Sequence, residues 1–463
     1  MLADISDSSS LERNLRVLCD EIGGRLPGTP SMDRAVDWAV EAFRQAGADE
    51  VHTEAFTIPH AWREGRTRIE VVSPIRFAVR GASSGWAPAT RGGLRAQVLD
   101  AGSGAPGFIR RLGTSARGKI LLLRSDVAVS FQDLANEQGD TVVALREAVE
   151  VGAAALLFIS NRPRGLLYRH VNTVDGRLDP IPTALVGRED GLRILRLLEQ
   201  GRKVEMRVSL PNQTGGPIRA ENVVAEIRGS EIPQEVVILG AHLDSWDLGT
   251  GCLDNAANVS LVIEAARGIA ASPRKPRRTV RFVLFSGEEQ GLLGSQAYIR
   301  GHRSELDSIA AVIVHDMGVG KIKGYSLGGR RDIRPALAEA MAPLEAWGAT
   351  SHSDDAFFGS DHFDFLIEGI PALIAMQDTT AYALSYHSSA DTFDKVNQQD
   401  LSDAAGIAAV TVFGVADLRD RLGERLSRTE IEDLMERTDL DRQLRFLGLW
   451  NEWEEGRRGR PDN

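Results

Sequence analysis

Gly240-Ala-His-Leu-Asp-Ser-Trp-Asp-Leu-Gly-Thr-Gly-Cys-Leu-Asp-Asn255 is the stretch on which the reading of this chain turns. It continues the apolar, mostly β-branched run Val236-Val-Ile-Leu239, a pattern that predicts a buried strand. The strand delivers His242 and Asp244 at its C-terminal end, and a loop containing Gly249 and Gly251 leads to Asp254 just before a helical pattern. Open α/β sheets bind ligands outside the carboxyl ends of their strands, so a histidine and a carboxylate here point to chemistry. Alone the pair is weak, because a buried polar residue at a strand end is more often a hydrogen-bonded part of the scaffold.

Three further strand ends carry residues of the same kind. Val280-Arg-Phe-Val-Leu-Phe285 runs into Ser-Gly-Glu288-Glu289. Adjacent residues of an extended chain point to opposite sides, so one glutamate faces a metal while the other faces a substrate water. Ile309 to Val314 ends at Asp316, and the loop Tyr386-His387-Ser-Ser-Ala-Asp-Thr392 follows the apolar strand Pro371 to Met376. The candidate ligands are therefore His242, Asp254, Glu289, Asp316 and His387, with Glu288 left over as a base. Two histidines and three carboxylates, one of them shared, suit two zinc ions in a mixed nitrogen and oxygen set.

The segments AHLDSWDLGTGCLDN, FSGEEQGLLGSQAY, VHDMG, GSDHFDF and YHSSADTFD stand in an order that resembles the di-zinc aminopeptidases and the plasma glutamate carboxypeptidase-like enzymes of clan MH, over roughly 215–423. The resemblance implies an α/β fold of three layers (α/β/α) around a mixed, mainly parallel sheet, with an inserted β-rich protease-associated lobe. It implies that Asp254 bridges two zinc ions per chain, with His242 and Asp316 on one and Glu289 and His387 on the other. It further implies Glu288 as general base, Asp244 as the carboxylate that orients His242, and Tyr386 as a donor to the tetrahedral intermediate. The implied reaction is hydrolysis of peptides or dipeptides by a metal-bridging hydroxide, as an aminopeptidase first. A carboxypeptidase, a dipeptidase and an N-acyl amidohydrolase are the alternatives on the same site. A non-catalytic binding protein on this fold is the opposing class, and the intact ligand set with its base weighs against it. Ala257 and Asn258 depart from the small, Gly-rich residues that more often follow the bridging aspartate in relatives, which bears on the shape of the substrate mouth.

Other polar residues near these motifs have plainer readings. His315 should point away from Asp316, into the core or to the surface. Asp361 and His362 are expected to make structural hydrogen bonds, and Cys252 to be a small packed residue. Cys19 and Cys252 are the two cysteines of the chain and imply no disulfide framework.

With 463 residues and 43% apolar content the chain exceeds one ordinary domain, and a net charge of −11 argues against nucleic acid as a partner. No apolar run reaches the roughly 18 residues of a membrane span. The N-terminus lacks a basic and apolar leader pattern, which sets a cytoplasmic expectation, with export the alternative if the start is trimmed. A homodimer is left open. Residues 1–84 are read as the N-terminal helical part of the peptidase domain, with helices at Leu11–Cys19 and Met32–Ala46. Residues 85–212 are read as the inserted lobe, 213–423 as the catalytic domain entered through the hinge PNQTGGP, and 424–463 as a charged tail that docks or stays solvated. The lobe should restrict substrate length without touching the chemistry, and its His170 is isolated from any metal-type spacing.

Overall fold

The protein is described by a computed structural model covering residues 10–461. A seven-stranded sheet forms its centre, in the order Glu50–Ile58, Ile218–Ile227, Arg278–Phe285, Ile232–His242, Ile309–Val314, Ala372–Gln377, Ile322–Ser326. The four strands from Arg278–Phe285 to Ala372–Gln377 run parallel, and the outer pairings are antiparallel. The parallel strands are buried on both faces, which is why they read as continuous apolar runs rather than alternating ones. Their register aligns their ends: His242 lies opposite Phe285, and Gly240 opposite Val314. The residues just past Phe285 and Val314 therefore emerge beside His242.

Helices cover both faces. On one side Leu11–Arg16, Pro30–Gln45, Ala257–Ala270 and Gln398–Asp417 close one apolar core. Pro30–Gln45 has Thr29 as its cap, accepting from the Met32 amide, and buries Met32, Ala35, Val36, Ala39 and Phe43 at helical spacing. On the other side Leu293–Gly301 and His362–Leu366 pack with three C-terminal helices, Arg428–Arg437, Leu440–Leu447 and Trp450–Glu454. Ile431, Leu434, Leu440, Leu444 and Trp453 are buried there, and the buried Arg458 donates to Asp364 at 2.8 Å. The segment 424–461 is thus a docked part of the core rather than a solvated tail.

A second sheet of eight strands stands apart, with Arg188–Glu199 packed on one face and Phe131–Glu150 on the other. Its strands include Arg68–Ser73, Phe77–Val79 and Gly81–Ser83, all before the expected boundary at 85. Residues 50–84, read above as part of a helical region, are strands that either edge the main sheet or belong to the lobe. The lobe leaves and rejoins the main body through a two-stranded ribbon, Trp62–Arg63 against Gln213–Thr214. A cluster of Leu26, Ile58, Trp62, Trp86, Val171, Ala220 and Trp246 fills the junction.

Cys19 and Cys252 form a disulfide spanning 233 residues, which corrects the expectation that Cys252 is only a packed residue. It ties the helical turn Val17–Ile22 to the loop that carries Asp254. Among the described residues no helix is long and apolar enough to cross a membrane.

Candidate metal centre

The aligned strand ends bring two groups of donors together, His242 with Asp254 and Asp316, and Asp254 with Glu289 and His387. Within each group the donor atoms lie within 4.8 Å of one another, and all five residues are buried. His242 Nε2 is 3.1 Å from Asp254 Oδ1 and 2.9 Å from Asp316 Oδ1. His387 Nε2 is 3.1 Å from Asp254 Oδ2 and 2.9 Å from Glu289 Oε2. Asp254 therefore offers one oxygen to each group.

The loop carrying Asp254 is held from several directions. Asp391 accepts from the amides of Cys252, Leu253 and Asp254 at 3.0, 2.7 and 3.1 Å. The buried Arg25 donates to the carbonyls of Gly23, Leu243, Thr250 and Gly251, fastening the loop to the strand end that bears His242. Tyr382 Oη donates to Asp254 Oδ2 at 2.8 Å. Asn258 donates to Asn255 Oδ1 and to the Gly318 carbonyl, so its amide braces the loop against the Asp316 strand end.

Asp244 meets His242 at shorter range through its backbone carbonyl than through its side chain. The His242 Nδ1 donates to the Asp244 carbonyl at 2.9 Å, while the carboxylate lies 3.7 Å away. That carboxylate accepts instead from the amides of Glu288 and Glu289, at 3.2 and 3.3 Å, and so fixes the Glu-Glu turn. Burial first, then the Asp316 carboxylate, pushes Glu288 well above the ordinary carboxylate range. Burial also raises Glu289, to about 7, with Asp254 adding to it. Asp254 goes the other way: burial opposes it, but hydrogen bonds from His242 and His387 hold it far below its ordinary value. His387 rises to about 9 against its burial, because Glu289 and Asp254 favour its charged form. The packed carboxylates thus attract positive charge into the site. Glu289 Oε1 is buried with no partner among the described residues, which leaves a donor for an ion.

Tyr386 stacks on His387 with ring centroids 3.6 Å apart and borders the same cavity as Glu288. His315 turns away as expected: its ring meets Tyr325 at 5.9 Å, both ring nitrogens lack partners among the described residues, and burial lowers it to about 3. Asp361 and His362 are buried, but both Asp361 carboxylate oxygens and His362 Nδ1 lack a partner among the described residues, which corrects the expectation of structural hydrogen bonds there; the bonds to Ser295 and Arg458 are made by Asp364.

The lobe does not stand clear of the site. Its Arg169 amide donates to the His387 carbonyl and its Leu167 carbonyl accepts from Ser389, both at 3.0 Å, with Tyr168 bridged to Ser388. His170 Nδ1 lies 2.7 Å from His387 Nδ1, which overturns the expectation that His170 is isolated. No sequence spacing connects residues 217 positions apart, so nothing in the chain order marked this pair. Arg25, Asp391 and Tyr382 also went unassigned. Two of them left a signal: Asp391 lies within the segment YHSSADTFD, and Tyr382 stands one helical turn before Tyr386.

Above the donors lies a cavity of about 1360 Å³. Asp254, Glu289, Asp316 and His387 border it, together with Phe131 and Gly139 of the lobe and Phe446 and Leu447 of the C-terminal helices. Lobe and C-terminal segment meet at its rim, where a Cβ on Gly139 would lie 2.6 Å from Phe446 Cε1.

A model of peptidase family M28 matches residues 222–412, the part that holds every one of these donors. Carboxypeptidase Q of Rattus norvegicus is 30% identical over 420 residues, covering 89% of this chain and 86% of its own. A structure of a peptidase M28 precursor from Shewanella amazonensis superposes with a TM-score of 0.83 at 28% identity, covering 92% of this chain and 97% of that one. A zinc aminopeptidase from Bacillus subtilis shares the fold with a TM-score of 0.69 at 20% identity, over 90% and 97% of the two chains. With the paired donor groups at its strand ends and a relative of this similarity over nearly its whole length, the chain belongs to peptidase family M28.

Proposed function

We propose that the chain is a di-zinc exopeptidase acting on short peptides, with dipeptides as its preferred size. The observation that carries this reading is the pair of donor groups sharing Asp254 at the floor of a walled cavity. A nitrogen and oxygen donor set of this kind fits zinc, and two dications balance three ligand carboxylates and one hydroxide. The names of its relatives, a carboxypeptidase and a zinc aminopeptidase, support the same class of reaction.

In this reading His242 and Asp316 would hold one metal and Glu289 and His387 the other, with Asp254 belonging to both donor groups. Such a metal pair, when bound, would lower the pKa of water and polarise the scissile carbonyl. Glu288, free of the donor groups yet beside them, takes the proton of the attacking water and passes it to the leaving amine. Tyr386, at the cavity wall, donates to the developing oxyanion. Asp244 keeps Glu288 and Glu289 in their two different directions by binding both amides.

The contact of lobe and C-terminal helices at the rim favours short substrates. Acidic residues dominate the lining, with Asp140, Asp354, Asp355 and Asp439 against Arg331 and Arg437, which suits a free α-amine. The test compares a free dipeptide with its N-acetylated and C-amidated forms, with and without a chelator. Cleavage of the free dipeptide, loss on N-acetylation and loss on chelation are expected. Loss on C-amidation alone would reassign the enzyme as a carboxypeptidase, and cleavage inside long blocked peptides would end the exopeptidase reading.

A further inference from the structure

The two histidines of the candidate metal centre are oriented by different means. His242 finds the acceptor for its Nδ1 hydrogen two residues along its own strand end, at the Asp244 carbonyl. Among the described residues His387 finds none in its own domain. Its Nε2 faces Asp254 and Glu289, and its Nδ1 meets Nδ1 of His170, which the inserted lobe carries.

We propose that His170 is a positioning residue for His387, and that its second ring nitrogen is a hydrogen-bond donor held for the substrate. This rests on the reading of His387 as a metal ligand. A histidine that gives Nε2 to a metal carries its hydrogen on Nδ1, and the group accepting that hydrogen fixes tautomer and ring angle. Two facing Nδ1 atoms 2.7 Å apart require one donor and one acceptor. With His387 as donor, His170 accepts at Nδ1 and is the Nε2–H tautomer. His170 Nε2 is buried and has no partner among the described residues, and the ring borders the cavity above the donors. A buried N–H without a partner is costly, so a polar group of the bound peptide is its natural acceptor.

The surrounding contacts hold the pair in place. His387 has a φ of 54°, a left-handed conformation that a non-glycine residue keeps only under constraint. The lobe supplies that constraint through the backbone bonds of Arg169 and Leu167 to residues 387 and 389, and through Arg162, whose guanidinium donates to the Tyr386 carbonyl at 3.2 Å. The His170 and His387 rings meet edge to face at 4.6 Å, with Trp246 against His387 from another side at 6.1 Å.

The experiment titrates zinc from the full chain with chelators of graded strength and measures KM and kcat on a dipeptide, for wild type, His170→Phe, His170→Asn and His170→Gln. Asparagine places an amide oxygen near the Nδ1 position, whereas glutamine reaches the Nε2 position. His170→Phe is expected to weaken one of two zinc ions by about 10- to 100-fold and leave the other unchanged. His170→Asn should keep both ions near wild-type affinity while KM rises, because the acceptor is restored and the donor to substrate is not. His170→Gln should lose the same zinc as His170→Phe, and this comparison with His170→Asn decides the matter if His170→Phe does not fold. Equal zinc affinity and equal KM across all variants would overturn the proposal. A wild-type chain that binds no zinc would instead overturn the ligand reading beneath it.

Discussion

At the scale of single residues, the two glutamates of the Glu-Glu turn make opposite predictions. Glu288→Gln removes a base and no donor, so turnover should fall by about 10²- to 10⁴-fold with metal content unchanged. Glu289→Ala removes a donor, so metal content should fall with activity, as elemental analysis of the purified variants would register. The reverse pattern would exchange the two assignments. Proton linkage gives a second check. His387 without metal is raised to about 9 by Glu289 and Asp254, so it is protonated at neutral pH. Metal binding must displace that proton, and zinc affinity at this position should fall as pH drops below about 9. Calorimetry in buffers of different ionisation enthalpy should show proton release at pH 7, and its absence would contradict the charge state derived for the site. The donor residues were legible in the sequence because His242, Glu289 and Asp316 stand at or just past the ends of apolar strands, with Asp254 and His387 in the connections that follow such strands. The roles of His170, Arg25 and Asp391 were not, because they act mainly through contacts between segments distant in the chain: Arg25 on the carbonyls of Leu243, Thr250 and Gly251, Asp391 on three amides.

At the scale of elements, the parallel strands were readable and the edge strand was not. Glu50–Ile58 is exposed or half-exposed along most of its length, so it lacks the apolar run that marked the central strands. Its place is set by pairing, from Glu50 opposite Glu226 to Ile58 opposite Ile218. The Cys19–Cys252 disulfide was hidden in a similar way, since 233 residues separate its ends. It closes a long loop and anchors the segment that presents Asp254. Replacing both cysteines by serine should lower stability by about 2–4 kcal/mol, measured by denaturant unfolding. A reductant should have the same effect on the wild type and none on the double variant. An unchanged unfolding midpoint would show that the pairing does not contribute.

At the scale of the whole molecule, the catalytic sheet is closed from two sides by parts of the chain that carry none of its proposed ligands. The C-terminal helices looked like a charged tail because their apolar residues are few and spaced, yet Leu434, Leu440 and Leu444 fill one core. Leu434→Ala should cost about 2–5 kcal/mol, a loss that a solvated tail would not produce in a thermal or denaturant melt. Phe446 meets the lobe at Gly139 over the cavity. Phe446→Ala should therefore raise the rate on a tetrapeptide relative to a dipeptide by about tenfold, the order expected for relieving one apolar contact. An unchanged ratio would move the length restriction elsewhere. The lobe, expected from sequence to sit apart from the chemistry, instead holds the backbone of the His387 loop.

The central claim is that Asp254 joins two metal positions, one completed by His242 and Asp316 and the other by Glu289 and His387. Native mass spectrometry of the purified chain tests it most directly, with wild type beside Glu289→Ala, His242→Ala and Asp254→Ala. The account predicts two zinc ions in the wild type, a single ion in either of the first two variants, and neither held tightly in Asp254→Ala. A wild-type enzyme that hydrolyses dipeptides with no zinc bound, or an Asp254→Ala variant that retains both ions, would contradict it.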